Sequence, residues 1–166
     1  TIRLLSGILC GQTFDSSITG DESIRSRPMN RIIDPLSQMG GKIKSINYNG
    51  LPPLRINGKT TNSLKGIHYH SPVASAQVKS SVLLAGLYAD SKTTVTEPNP
   101  SRNHTEIMLK YFGANIGQEG TSVTIEPEAN LIGQDIKVPS DISSAAYFIA
   151  AGLIVANSSL LVKNVG

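Results

Sequence analysis

The chain has 166 residues, 39% of them hydrophobic and 16% charged, with a formal charge of +3 from 15 basic and 12 acidic side chains. That composition suits one or two compact globular units and excludes an extensively disordered chain. The positive charge is slight and scattered and there is no Trp, which argues against a nucleic-acid surface; no apolar stretch reaches 18 residues, so no membrane span is expected.

In chain order, "TIRLLSGILC" reads as an apolar helix without the features of a signal peptide. Its Cys10 is the only cysteine, which rules out an intrachain disulfide and fits a buried small hydrophobe in a reducing, cytoplasmic setting. "TFDSSITG" is a polar break followed by extended chain. "GDESIRSRPMNR", 20–31, leads to a helix start near Pro28. Its Arg25, Arg27 and Arg31 either fork onto carboxylate or phosphate oxygens or pair with Asp21 and Glu22 in a solvated loop. Strands are predicted at 42–46 and 53–57, and a short one at "IHYHS".

The next helix is predicted over 73–88, with Ser71 as cap and Pro72 in its first position. Ser75, Ala76 and Gln77 fall in its first turns, where orphan N–H groups and the helix dipole offer a phosphate cradle as the alternative to a plain cap. Lys79 is its only charge. "PNPSRNHTE" precedes a helix over 103–112, which Asn103 or Ser101 would cap, with Glu106 completing a capping box. Arg102 and His104 remain after the cap is explained. His68, His70 and His104 have no Cys or carboxylate motif around them, so no metal is expected. Strands at 114–118 and 122–126 flank a tight turn in which Gly120 supplies a positive φ. A strand at "DIKVPS" and a helix over 142–156, capped by Asp141 with Ser143 and Ser144 in its first turn, close the chain. The G-x-S-x-G elbow of a serine hydrolase is absent. Several polar helix starts and dispersed arginines favour binding a polyanionic small molecule over covalent catalysis.

Internal repetition organises these elements. "LLSGIL" (4–9), "LLAGLY" (83–88) and "IAAGLI" (149–154) are related helix cores. Setting Arg31 against His104 places Leu36 on Leu109, Met39 on Phe112, Gly40 on Gly113 and Ile43 on Ile116. The unit reads β-α-β-α-β-β, with remnants at 1–58, 66–127 and 134–166. The expected fold is α/β (α+β), one incomplete domain over 1–166 with buried parallel helices and outer sheets. The helices at 73–88 and 142–156 carry no charged stripe and are expected in the interior.

Six motifs, "TIRLLSGIL", "GDESIRSRPM", "LPPLRI", "VASAQVKSS", "SRNHTE" and "DISSAA", resemble in this order the bacterial 5-enolpyruvylshikimate-3-phosphate synthase family, over essentially the whole chain. "SRNHTE" is similar to the branch that includes many enzymes relatively insensitive to glyphosate. The resemblance implies an enolpyruvyl transferase-like domain and transfer of the enolpyruvyl group of phosphoenolpyruvate to the 5-hydroxyl of shikimate 3-phosphate, with release of phosphate, in aromatic amino-acid biosynthesis. It implies that Ser75 and Ser101 contact the phosphate of shikimate 3-phosphate, that Ala76 offers its backbone, that Gln77 lies near both ligands and that Arg102 is a further substrate-side group. Arg27 would bind phosphoenolpyruvate, with Arg3 in the helix behind that pocket, His104 near the site and Asp141 near the connection of the site to its domain. No cofactor is implied.

The resemblance also places the family's "GNSGT" start just before Thr1 and its acid-base groups in a second domain. The segment alone is therefore expected to contain no catalytic residue and to be inactive, and the full-length enzyme to be a monomer. Cys10 and Ser140 depart from the alanine and glycine expected there, and Ser140 is harmless only where its φ is negative. The alternatives are UDP-N-acetylglucosamine 1-carboxyvinyltransferase, RNA 3'-phosphate cyclisation, which the weak charge opposes, and a non-catalytic phosphometabolite-binding domain.

Overall fold

The computed structural model describes residues 1–58, 64–127 and 130–165. Helix α1 (Ile2–Cys10) buries Ser6, Gly7 and Cys10 and packs chiefly on α4 (Ala76–Gly86). The two backbones approach so closely that a Cβ on Gly7 would collide with the Ser81 carbonyl, which only a residue without a side chain permits. Helix α4 is buried from Val78 through Leu83 and at Ala85 and Gly86, as its lack of a polar stripe predicts.

Around this helix pair lie two sheets. The first joins β1 (Ser16–Ile18), β3 (Leu54–Asn57) and β2 (Lys42–Ser45) in the order β1-β3-β2, all antiparallel. The second orders β4 (His68–His70), β5 (Thr93–Thr96), β7 (Ser122–Ile125) and β6 (Ile116–Glu119) as β4-β5-β7-β6, with β4 parallel to β5. Alternation sets the inward face: Ile43, Leu54, Ile56, Val95, Val123 and Ile125 are buried. Helices α3 (Asn30–Gln38) and α5 (His104–Tyr111) precede the β2–β3 and β6–β7 pairs, and a short α2 (Glu22–Arg25) is capped by the Asp21 carboxylate, which accepts from Ile24 N–H at 2.9 Å.

The repeat is visible atom by atom at two helix ends. After α3, Gly40 has φ +81°, its N–H donates to Ser37 O and Gly41 N–H donates to Leu36 O. After α5, Gly113 has φ +97°, its N–H donates to Lys110 O and Ala114 N–H donates to Leu109 O. Both are left-handed glycine caps of the Schellman type, at the positions the alignment equates. Gly120 has φ +58° in the β6–β7 turn, as predicted.

Four local expectations differ. Helix α4 starts at Ala76, three residues late, because Ser71 Oγ donates to the Val73 carbonyl at 2.7 Å and holds that stretch in a turn. "DIKVPS" forms no strand: only an isolated bridge pairs Ser140 with Val165. Asp21 caps α2 and Glu22 opens it, and neither carries an ion pair to Arg25 or Arg27; Arg25 donates to the Gly20 carbonyl instead. Helix α6 (Ile142–Ile154) has no buried residue, contrary to the interior position expected, and Tyr147 and Leu153 are 82% and 84% exposed. The chain divides into two compact units, Thr1–Gly133 and Gln134–Gly166, and in the second α6 has no other helix or strand among the described residues to cover its apolar faces. Asp141 does cap α6, accepting from Ser144 Oγ at 2.8 Å and from Ser143 N–H at 2.9 Å, which, the Ser144 hydroxyl foremost, hold its carboxyl below the usual range. Among the described residues positive φ outside glycine is confined to Tyr48, Asn157 and Asn164, so Ser140 sits in ordinary backbone.

Candidate functional site

The starts of α4 and α5 meet through one carboxylate. Glu97, just past the end of β5, accepts from the Ser75 backbone N–H through Oε1 at 2.7 Å and from Ser101 Oγ through Oε2 at 2.7 Å. Ser75 is the N-cap residue of α4, yet makes no side-chain cap bond. The chain between Glu97 and Ser101 holds Pro98 and Pro100, whose fixed φ stiffens the loop that the Glu97–Ser101 bond closes.

Beneath these contacts is a buried ion cluster. Lys79 Nζ lies 3.0 Å from Glu97 Oε2 and 2.7 Å from Glu106 Oε1, and all three residues are less than a tenth exposed. A lone lysine inside an apolar helix requires such compensation, since an unpaired buried charge costs several kcal/mol. Burial pushes the Glu97 carboxyl up, but the Ser101 hydroxyl, the Ser75 N–H and the Lys79 ammonium together outweigh it, holding the group below the usual carboxylate range. Glu106 therefore serves this cluster. The capping box expected of it is not formed, and Asn103 occupies the N-cap of α5 without a side-chain cap bond.

Beside the two helix starts a cavity of about 290 Å³ is lined by Thr1, Ala76, Gln77, Ser80, Arg102 and His104, among others. Ala76, Gln77, Arg102 and His104, singled out from sequence, thus share one opening. Ser75 and Ser101 flank it through Glu97 and do not line it. Ser80 Oγ and Thr105 Oγ1, 2.7 Å apart, join the walls from α4 and α5. Arg102 is exposed, and no carboxylate among the described residues forms an ion pair with it.

Arg3 forms the second half of the site. Its Nη1 donates to Gln77 Oε1 at 2.5 Å and its Nη2 to the Pro28 carbonyl at 3.0 Å, tying α1 to the start of α4 and to the segment carrying Arg27. Burial, then the charges of Arg31 and Arg27, lower the affinity of the Arg3 guanidinium for its proton. Three cations crowding without an ion-paired carboxylate among the described residues form a region that an anion would relieve. Arg27 reaches Ser23 Oγ at 3.5 Å and does not line the cavity. Asp141 belongs to the second compact unit. The sequence reading missed Glu97. Its signal was the single Lys79 in an apolar helix, which calls for a carboxylate that spacing alone could not locate.

Among the described residues no cluster of His, Cys, Asp and Glu could hold a metal ion, and no helix is long and apolar enough to cross a membrane. Comparison with known proteins gives a consistent result. The family model described as EPSP synthase (3-phosphoshikimate 1-carboxyvinyltransferase) matches residues 1–166. A 3-phosphoshikimate 1-carboxyvinyltransferase of Thermoanaerobacter sp. (strain X514) is 57% identical over 165 residues, 99% of this chain and 38% of the relative. One from Bacillus subtilis (strain 168) is 55% identical over 166 residues, 100% of this chain and again 38% of the relative. The chain therefore spans 38% of the length of these curated relatives. Among solved structures, an EPSP synthase from Acinetobacter baumannii superposes with a TM-score of 0.83 at 48% identity, covering 99% of this chain and 37% of that one.

Proposed function

Since the chain belongs to the EPSP synthase family, with the alternating β-α-β-α-β-β topology of that fold, we propose that the intact protein transfers the enolpyruvyl group of phosphoenolpyruvate to the 5-hydroxyl of shikimate 3-phosphate and releases phosphate. On this reading residues 1–166 belong to one incomplete enolpyruvyl transferase-type domain and work with a second domain of the same enzyme. The observation that carries the proposal is the gathering of Ser75, Ala76, Gln77, Ser101 and Arg102 at the starts of α4 and α5.

The division of labour follows from the chemistry of the side chains. Shikimate 3-phosphate presents a dianion, which the Ser75 and Ser101 hydroxyls, the Ala76 backbone and the Arg102 guanidinium would meet at the positive ends of two helix dipoles. Gln77, fixed by Arg3 through its Oε1, keeps its amide N–H groups for the ligands. Arg27, across the Arg3 contact, would take the phosphate of phosphoenolpyruvate. General acid-base groups would come from the second domain, so the segment alone binds and orients without turning over. The protein is proposed to act in the cytoplasm as a monomer.

Phosphate release from phosphoenolpyruvate and shikimate 3-phosphate by the intact protein tests the reaction, and no release above a buffer control is expected from residues 1–166 alone. Arg102→Ala in the intact protein is expected to weaken shikimate 3-phosphate binding by about 1.5–3 kcal/mol, the scale of a charged hydrogen bond, with the melting temperature nearly unchanged. Unchanged affinity by isothermal titration would leave Arg102 as surface and remove the support this site lends the proposal.

A further inference from the structure

We infer that Glu97 is a positioning residue of this site, a carboxylate that holds the Ser75 backbone and the Ser101 hydroxyl in fixed relation so that both helix starts address the same phosphate. The inference rests on the functional reading above and goes beyond it, because Glu97 lies behind the serines and is itself 3% exposed.

Three observations carry it. Glu97 uses its two oxygens for two different elements, Oε1 on the start of α4 and Oε2 on the loop before α5. Lys79 comes within 3.0 Å of Oε2, which keeps the carboxylate ionised and so an acceptor for both donors. The bond to Ser101 also closes the loop that carries Arg102, so the guanidinium inherits its placement from the same carboxylate. A packing role alone would not require two donors on one buried anion.

The arrangement implies a sequence of hydrogen bonds. A serine hydroxyl has one proton, and in the structure Ser101 donates it to Glu97. When the phosphate dianion arrives, that proton turns to it, while the Ser75 N–H stays on Oε1 and keeps the carboxylate seated. Lys79 then takes the larger share of the Glu97 charge. The backbone of both helix starts is thus held before the ligand arrives and only one hydroxyl has to turn, which lowers the ordering cost of binding.

Isothermal titration on the intact protein tests this with Glu97→Gln, Ser101→Ala and the double variant, using shikimate 3-phosphate as the probe. Each single change is expected to raise Kd about tenfold, and the double variant by less than the product of the two, because Glu97 acts on the ligand partly through the placement of Ser101. The KM for phosphoenolpyruvate should stay within about twofold; a merely structural role would move both substrates together. Multiplying effects, or a Kd for Glu97→Gln within about twofold of wild type, overturn the inference. Should Glu97→Gln not fold, the amide resonance of Ser75 in the wild type decides: a carboxylate-bonded shift that persists at saturating shikimate 3-phosphate is expected, and its loss overturns the idea. Failure of the wild type to bind shikimate 3-phosphate would sink the functional reading and this inference together. Sensitivity to Arg102→Ala without sensitivity to Glu97→Gln would sink this inference alone.

Discussion

The two repeats of the first compact unit share a frame and differ at their edges. Sheets run β1-β3-β2 in one and β5-β7-β6 in the other, and both second helices end in a left-handed glycine with the same pair of backbone bonds. Before the second helix they diverge. The first repeat fills that stretch with α2 and exposed arginines, whereas the second closes a proline-stiffened loop onto a buried Lys79–Glu97–Glu106 cluster. Duplicated architecture tolerates specialisation where the chain enters a helix, since the core only requires that each helix end in the same place.

The buried cluster should produce the largest contrast. Lys79→Met leaves two buried carboxylates without their cation and is expected to cost about 3–5 kcal/mol by denaturant titration at neutral pH. The deficit should shrink on acidification. In the wild type the lowered Glu97 value contributes stability that is complete above the ordinary carboxyl value of 4.5 and is lost as pH falls through the lowered folded value. Without Lys79 that depression is weakened, so the two proteins should converge in acid. A deficit constant from pH 7 down to pH 3, about the span of carboxyl titration, would mean that the cluster acts by packing alone.

A second contrast uses the glycines of the two matched helix cores. A Cβ on Gly7 meets the Ser81 backbone, which cannot yield without moving α4, whereas on Gly86 it meets side-chain carbons of Ile125 and Thr93 at 2.7 and 3.0 Å. Gly7→Ala is expected to cost about 3 kcal/mol and Gly86→Ala about 1 kcal/mol in chemical denaturation, the range of overpacking. Equal losses would show that the α1–α4 contact is no tighter than the contact of α4 with its sheet. The smallest effects should be the most alike: Gly40→Ala and Gly113→Ala each force a side chain into positive φ and are expected to cost about 1 kcal/mol. Unequal values would break the equivalence of the two caps.

Much of this frame was legible in the residues. Leu-Leu-Ser-Gly against Leu-Leu-Ala-Gly, and Gly40 against Gly113, expose the duplication because a backbone that needs glycine twice needs it at matching places. Both antiparallel strand pairs were legible for a similar reason, their alternation being local. What failed depended on distance or cover. Ser71-Pro72 has the chemistry of a helix entry, yet the Ser71 hydroxyl turns to the Val73 carbonyl and the helix waits for Ala76. Glu106 has the spacing of a capping box, but a buried lysine on another helix is a stronger partner than a frayed N–H. At the candidate site Ser75, Gln77, Ser101 and Arg102 were readable as polar residues at helix starts, while Glu97, which joins two of them, has no motif of its own. The interior position expected for α6 presumed cover that periodicity cannot supply.

Cys10 turns the packing of α1 into a clock. It carries the only thiol of the chain, fully buried at the end of α1, and its Sγ would lie 3.1 Å from a Cβ on Gly41 in the turn after α3. A thiol reagent can reach it only when the cover over the end of α1 opens, so the rate of labelling under native conditions reports the free energy of that opening without any introduced probe. Labelling followed with and without a ligand would then separate binding that tightens the interior from binding that touches only the rim.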